Sequence, residues 1–167
     1  MDRVESGTEC AGDRSARMAK LLYFLAIMLT AIALGAGLAH LFELPNKIGL
    51  GAEDYLTVQR NYDNWWIVGL IVPLAFLAVL ALTIALRGTG APFVLALVAL
   101  VLLVGELATF WGFTAPVNRA TENWTTLPAN WQELRAQWEY SHAVRAILYV
   151  VALGALVMSL LDWRAEA

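Results

Sequence analysis

Four long apolar runs constrain the fold of this chain more than any other feature of its sequence. They cover residues 21–41, 65–86, 92–113 and 141–161. Each run has about the 20 residues that an α-helix needs to cross a hydrocarbon core roughly 30 Å thick. Backbone polar groups inside lipid must be satisfied within their own segment, which favours helices over open strands. The sequence therefore predicts an all-α protein, an antiparallel four-helix transmembrane bundle that forms a single membrane domain over residues 21–163.

Composition and charge support this class and exclude others. Hydrophobic residues make up 60% of the 167 positions and charged residues only 15%. The net charge is −3 and the basic residues form no stripe outside the membrane flanks, which argues against a nucleic-acid partner. The single cysteine, Cys10, excludes an internal disulfide and a cysteine-based metal site.

The chain ends are predicted to be short tails. Residues 1–20 mix acidic, basic and small polar side chains, the composition of a flexible tail, and residues 164–167 form a second short tail. A signal peptide is the alternative interpretation of the first apolar run. Its apolar part exceeds the usual 7–15-residue signal core, so we interpret it as the first transmembrane helix.

The connections predict how the spans follow one another. We expect the first helix to break near Leu44, before a proline, and a short interfacial helix to form over residues 53–64. Residues 87–91 are a minimal turn, so the second and third spans should form a hairpin. Residues 115–130 form a second long connection, and Asn130 is expected to cap the fourth helix.

The distribution of basic residues predicts the orientation. One side of the membrane carries the larger group and the other side the smaller: Arg3, Arg14, Arg17, Lys20, Arg87 and Arg164 against Lys47, Arg60, Arg119 and Arg135. The positive-inside rule then places both termini in the cytoplasm. The two long connections and most tryptophans lie at the outer face, so the functional end should face away from the cytoplasm.

A polar and aromatic stripe at the start of the fourth helix marks the candidate site. At about 100° per residue, its members share roughly a third of the helix circumference: Arg135, Trp138, Glu139, His142, Arg145 and Tyr149. Polar side chains that face lipid are energetically unfavourable, so this stripe should face other helices or a water-filled cavity. The alternative is a helix end that tryptophan and arginine anchor at the interface.

Depth along the helices brings further residues toward this stripe. Measured along each helix from its predicted cytoplasmic end, His40 and His142 both lie about 28 Å toward the outer face. Glu43 and Glu139 lie about 4.5 Å farther out, and Glu106 lies about 7 Å below the histidines. Two histidines and three glutamates could therefore converge beneath the outer loops.

Several kinds of site remain open for these residues. The Glu-x-x-His spacing at 139–142 is that of di-iron carboxylate bundles, which makes iron or manganese a candidate cofactor with five candidate ligands: His40, Glu43, Glu106, Glu139 and His142. A structural charge network, in which Glu139 pairs with Arg135 or Arg145, is the alternative without chemistry.

Metal-free acid–base chemistry is a further interpretation of the same residues. His142 or His40 would act as the base, and the arginines would hold an anionic or enolate-like oxygen. A haem between His40 and His142 fits their equal depth but is the least favoured of these sites.

Five segments resemble the anthrone oxygenase-like family, a group of small four-span membrane proteins that are mostly bacterial and of unknown function. These are Leu44-Pro-Asn-Lys47, residues 54–59, Pro116-Val-Asn-Arg119, Asn130-Trp131, and residues 135–142 followed by Arg145. The resemblance covers residues 20–163, and Trp-Glu-x-x-His-x-x-Arg is its most specific part. The fungal relatives in this family oxidise anthrones to anthraquinones with molecular oxygen and have no recognised flavin or haem motif. The resemblance implies a related reaction for this chain. It points to His40, Asn118, Trp138, Glu139, His142 and Arg145.

Together with the polar stripe, the resemblance implies an oxidoreductase for a lipophilic, phenol- or anthrone-like substrate, a cofactor-poor or metal-dependent monooxygenase. The catalytic candidates are His142, Glu139, His40 and Arg145, and the substrate-binding candidates are Trp138, Asn118, Arg135 and Trp111. Membrane lipids, a lipophilic small molecule and a homo-oligomer or membrane complex are the expected partners, and a bacterial inner membrane is the expected location. The alternatives are a non-catalytic membrane subunit, a lipid- or small-molecule-binding module and a proton-coupled transporter that uses Glu106.

Overall fold

Four long helices dominate the structure, a computed structural model that describes the backbone of residues 2–166 and the side chains of residues 14–164. They are α1 (Asp2–Lys47), α3 (Trp66–Ala85), α4 (Ala91–Thr109) and α6 (Trp131–Glu166). Four stretches are long and apolar enough to cross a membrane: Arg14–Lys47, Trp66–Ala85, Ala91–Ala120 and Trp131–Arg164. No strand occurs among the described residues. The predicted all-α membrane bundle is therefore confirmed.

The four helices form a closed ring. α1 packs against α3 and α6, and α4 packs against α3 and α6, so the order around the bundle is α1, α3, α4, α6. The hairpin between α3 and α4 turns at Gly88 and Gly90, whose φ angles of 88° and 69° lie in the region that favours glycine. This turn is short, as predicted, and holds α3 and α4 side by side.

The half of the bundle at the end of the α3–α4 turn, named the inner half, packs closely on small residues, and the opposite half is named the outer half. Ala26, Ala96, Ala99 and Ala152 are fully buried where the helices meet. Lipid tails are as apolar as the helix surfaces, so association inside a membrane depends on close packing and on hydrogen bonds rather than on burial from water. Small side chains allow the helix axes to come close enough for this packing.

A hydrogen-bond relay joins three helices near their inner ends. The Tyr23 hydroxyl of α1 lies 2.8 Å from Ser159 Oγ of α6. Ser159 Oγ in turn donates to the carbonyl oxygen of Pro92 in α4 over 2.7 Å. All of these polar atoms are thereby satisfied inside the bundle, where an unpaired hydroxyl would be costly.

The first outer connection contains the predicted short helix, α2 (Ala52–Gln59), followed by a 3-10 turn (Arg60–Tyr62). The predicted break near Leu44 is wrong, because α1 passes through Pro45 and ends at Lys47. Proline removes only one hydrogen bond at this position, and the Ile48 N–H donates to the Leu44 carbonyl over 3.0 Å to close the last turn.

The second outer connection begins later than predicted. α4 continues into a π-helical turn (Phe110–Thr114) and then into α5 (Ala115–Ala120). Pro116 follows the π turn, in which the Ala115 N–H donates to the Phe110 carbonyl, and the helix continues through it. The remainder, residues 121–130, is the irregular segment, and α6 begins at Trp131 directly after Asn130, as predicted.

The predicted tails remain predictions. The backbone of α1 is helical from Asp2, within the range expected to be a tail, while Met1 and the side chains of residues 2–13 lie outside the described part of the chain. Ala167 and the side chains of residues 165–166 lie outside it as well.

Gly37 provides a test of the packing between α1 and α6. A Cβ atom at this position would lie 3.3 Å from Ala146 Cα, whereas Gly35 on the same helix has nothing within 4 Å. We expect Gly37→Leu to lower the free energy of unfolding in detergent by about 1–3 kcal/mol, the usual cost of overpacking. The matched Gly35→Leu variant should melt like the wild type. Equal melting of the two variants would contradict the close approach of α1 and α6.

Candidate functional site

A cavity of about 520 Å³ lies in the outer half of the bundle. Its walls come from α1, α3, α6 and the segment from the π turn to α5, and the two outer connections lie over it. The lining includes apolar side chains, aromatic rings and five of the predicted site residues: His40, Asn118, Trp138, His142 and Arg145. The small residues Ala33, Ala36 and Gly37 leave room on the α1 side.

His40 and His142 meet inside this cavity. Their imidazole rings stack with centroids 4.0 Å apart and an interplanar angle of 26°. Trp138 packs against both rings, with centroid distances of 5.0 Å to His40 and 4.3 Å to His142. Tyr62 covers His40 at 4.4 Å. The prediction that the two histidines lie level on antiparallel helices is confirmed.

Arg145 forms an ion pair with Glu106 below the histidines. Both its Nε and its second terminal nitrogen bind Glu106 Oε1, over 2.6 Å and 2.5 Å. The other terminal nitrogen lies 3.4 Å from His142 Nδ1. Glu106 is fully buried, so the guanidinium neutralises a carboxylate that has no contact with solvent. Arg145 therefore links the histidine pair to the deepest charge of the site.

The predicted pairing of Glu139 with Arg145 or Arg135 is wrong. Glu139 and Arg145 are six residues apart, a rise of about 9 Å, and therefore lie at different depths. Glu139 instead pairs with Lys47, whose Nζ lies 3.3 Å from Glu139 Oε1. Arg135 donates to the Leu50 carbonyl over 2.6 Å and stacks on the Trp131 ring at 4.8 Å.

Lys47 is the centre of a network that the sequence analysis missed. Its ammonium lies 2.6 Å from the Tyr62 hydroxyl and 3.2 Å from Glu43 Oε2, and the Tyr62 hydroxyl donates to the same Glu43 oxygen. The Tyr55 hydroxyl donates to Glu139 Oε1 over 3.0 Å. The one signal in the sequence was the spacing of Glu43 and Lys47, which places opposite charges one helical turn apart.

Two tyrosines of the first outer connection act as neutral hydrogen-bond donors to these carboxylates. Burial raises the pKa of Tyr55 above its usual range, and the neighbouring Glu139 carboxylate raises it further. Burial also raises the pKa of Tyr62, as does its hydrogen bond to Glu43. Both phenols therefore stay protonated at physiological pH and stabilise the carboxylates that accept from them.

The predicted substrate-binding residues divide into two groups. Trp138 and Asn118 line the cavity, and the Trp138 indole donates to Asn118 Oδ1 over 2.7 Å. Arg135 lies outside the cavity, in the cluster of Tyr55 and Trp131. Trp111 also lies outside the cavity and is 65% exposed on the surface of the bundle. Its ring contacts only the neighbouring Phe110 among the aromatic rings of the described residues.

The predicted metal ligands do not form a metal centre. Among the described residues, no group of three or more histidine, cysteine, aspartate or glutamate side chains is placed to hold a metal ion. Glu43 and Glu139 face Lys47, and Glu106 faces Arg145. A bis-histidine haem does not fit either, because it needs one imidazole on each face of the macrocycle, whereas the His40 and His142 rings contact each other.

Comparison of the chain with protein-family models, with curated proteins and with solved structures finds no match.

The buried pair of Arg145 and Glu106 gives a stability prediction. We expect Arg145→Ala to lower the free energy of unfolding by about 3–5 kcal/mol, because Glu106 would be left buried without a cation. Arg119→Ala, which removes an exposed arginine, should change it by less than about 0.5 kcal/mol. Thermal melting in detergent measures both.

Adding Glu106→Gln to Arg145→Ala separates the missing charge from the missing side chain. The double variant should recover much of the lost stability, because no unpaired carboxylate remains. Melting of Arg145→Ala that matches Arg119→Ala would show that the ion pair is not a structural requirement.

Proposed function

We propose that this chain is a membrane-embedded oxidoreductase of the oxygenase type that acts on a lipophilic, phenol- or anthrone-like substrate. The observation that carries this proposal is a cavity of about 520 Å³ with aromatic walls, lined by His40, whose Nδ1 is buried and has no hydrogen-bond partner in the protein. Cavities of roughly 300–1,000 Å³ with mostly apolar walls and a few polar groups are typical of small-molecule sites.

The proposed chemistry needs a base beside a planar substrate. His40 would accept a proton from an acidic C–H or O–H group, which leaves a delocalised carbanion or phenolate. That anion gives electrons to molecular oxygen, and for an anthrone-like CH₂ group the balance is R₂CH₂ + O₂ → R₂C=O + H₂O. One oxygen atom enters the substrate and the other leaves as water, so no separate reductant is needed.

The remaining residues of the site would position the base and the substrate. His142 stacks on His40, and Arg145 binds both His142 and Glu106. The Trp138 indole is fixed by Asn118 and presents its ring to both histidines. These contacts leave His40 little freedom to rotate, which supports a role in a reaction that needs fixed geometry.

The resemblance of the sequence to the anthrone oxygenase-like family also supports this proposal. The distribution of basic residues supports an orientation with both termini in the cytoplasm and the site near the outer face. We place the protein in a bacterial inner membrane, where the substrate would reach the cavity from the bilayer.

A non-catalytic binding module is the second candidate function. Its supporting observation is that both buried carboxylates of the site, Glu106 and Glu139, face a cation, as expected of a network that holds helices together. In this case the cavity would hold a lipid-like molecule, or help to bind another subunit, without turnover.

Histidine variants separate the enzyme from the binding module. In nanodiscs that supply an anthrone, wild-type protein should consume oxygen and form the quinone. His40→Gln should lower the rate by about 10²–10⁴-fold, because the amide cannot accept the proton at neutral pH. His142→Gln should also lower it while melting stays cooperative.

Tyr140→Phe, an exposed position on the same helix, is the control and should keep the wild-type rate. Equal rates for His40→Gln and the wild type would exclude His40 as the base. A wild-type protein that retains bound small molecules but consumes no oxygen with anthrones or phenols would favour the binding module.

A further inference from the structure

Two residues at the outer end of the cavity have buried hydrogen-bond donors without partners in the protein. Trp124 and Gln59 both line the cavity, and the buried Trp124 Nε1 and Gln59 Nε2 have no hydrogen-bond partner in the protein. Each of the two residues is only 5% exposed. The Gln59 side chain also lies near the Tyr55 hydroxyl and lowers the pKa of that phenol, but Gln59 Nε2 makes no well-formed hydrogen bond there. Buried donors are nearly always satisfied, so this pair points to an acceptor that enters the cavity.

The backbone before Trp124 adopts a costly conformation that places its ring at the cavity. Glu122, Asn123 and Trp124 have φ angles of 49°, 56° and 62°, a region that a bulky aromatic residue rarely adopts. The Asn123 N–H donates to the Asn118 carbonyl over 2.7 Å, and the Trp124 N–H donates to Thr121 Oγ1 over 3.1 Å. Strain of this kind concentrates at ligand sites, which is a second observation in favour of a role in binding.

The charges around the cavity decide the kind of acceptor. Arg145 is the only lysine or arginine among the described lining residues, and Glu106 already occupies it at 2.5 Å. Asp63 lines the cavity and adds negative charge at an exposed position. A carboxylate or phosphate ligand would therefore lose its hydration without gaining an unpaired cation. A neutral oxygen does not carry this cost.

We propose that Trp124 and Gln59 determine ligand specificity by donating hydrogen bonds to a neutral carbonyl or hydroxyl oxygen at the outward end of a lipophilic ligand. The apolar body of the ligand lies deeper, between Ala33, Val72 and Phe110. Tyr149, at the deep end, belongs to the surroundings of Glu106 and Arg145 rather than to this pair. This assignment rests on the proposed function in taking the cavity as a substrate site, and it adds the residues that select the substrate.

Matched naphthalene probes test this assignment in phosphatidylcholine nanodiscs, with empty nanodiscs to correct for partitioning. We expect the wild type to bind 2-acetylnaphthalene about tenfold more tightly than naphthalene or 2-naphthoate. Trp124→Phe keeps the ring but removes the N–H, and Gln59→Leu removes the amide. Each should weaken binding of the ketone about fivefold and leave naphthalene unchanged. Trp163→Phe, at the other end of α6, should bind all three probes like the wild type.

The assignment would be overturned if no probe bound or if naphthoate bound as tightly as the ketone. It would also be overturned if both variants kept the wild-type affinity for the ketone, because water would then satisfy the two donors. If Trp124→Phe does not fold, Gln59→Leu decides, because it leaves the aromatic rings in place. If the wild type prefers the ketone but consumes no oxygen, the role of Trp124 and Gln59 stands and the oxygenase function is contradicted. If the protein consumes oxygen but the two variants bind the probes like the wild type, the oxygenase function stands and the role of Trp124 and Gln59 is contradicted.

Discussion

Neutralisation of two carboxylates inside the bundle is the constraint on which the site depends. Glu106 and Glu139 are 1% and 0% exposed, and an isolated charge at such positions would cost several kcal/mol. Arg145 of α6 meets Glu106 of α4, and Lys47 of α1 meets Glu139 of α6. These two pairs lie above and below the histidines. They fix the level of α6 against both neighbours, and the stacked imidazoles follow from that alignment.

The two halves of the bundle solve different packing problems. In the inner half, alanines bring the helices close together and hydroxyl groups bond to backbone carbonyls, so little space remains. In the outer half, bulky rings and long charged side chains hold the helices around an open volume. A rigid inner half provides a stable base for a cavity whose walls carry the chemistry, and the α2 segment and Trp124 cover it from above.

The lengths of the four apolar runs predict the membrane-spanning helices. The rise of 1.5 Å per helical residue, counted along two antiparallel helices, predicts that His40 and His142 lie at the same depth. Partner choice was not predictable in the same way, because it depends on which faces of the helices are turned toward each other. Lys47 contacts Glu139 because α1 continues through Pro45 and because the lysine side chain is long and flexible. The left-handed backbone at Trp124 and the π turn over Phe110–Thr114 have no sequence pattern that predicts them.

The π turn also limits how the sequence of this segment can change over time. It holds one more residue than an α-helical turn would, which rotates everything beyond it by about 100°. In this register Thr114 Oγ1 lies 2.8 Å from Ser141 Oγ, and Asn118 reaches Trp138. Loss of one residue between Glu106 and Asn118 would restore a regular helix but turn Asn118 away from the cavity. A change in the length of this segment would therefore disrupt the site, whereas its exposed side chains, Trp111 and Phe113, can be exchanged without that effect.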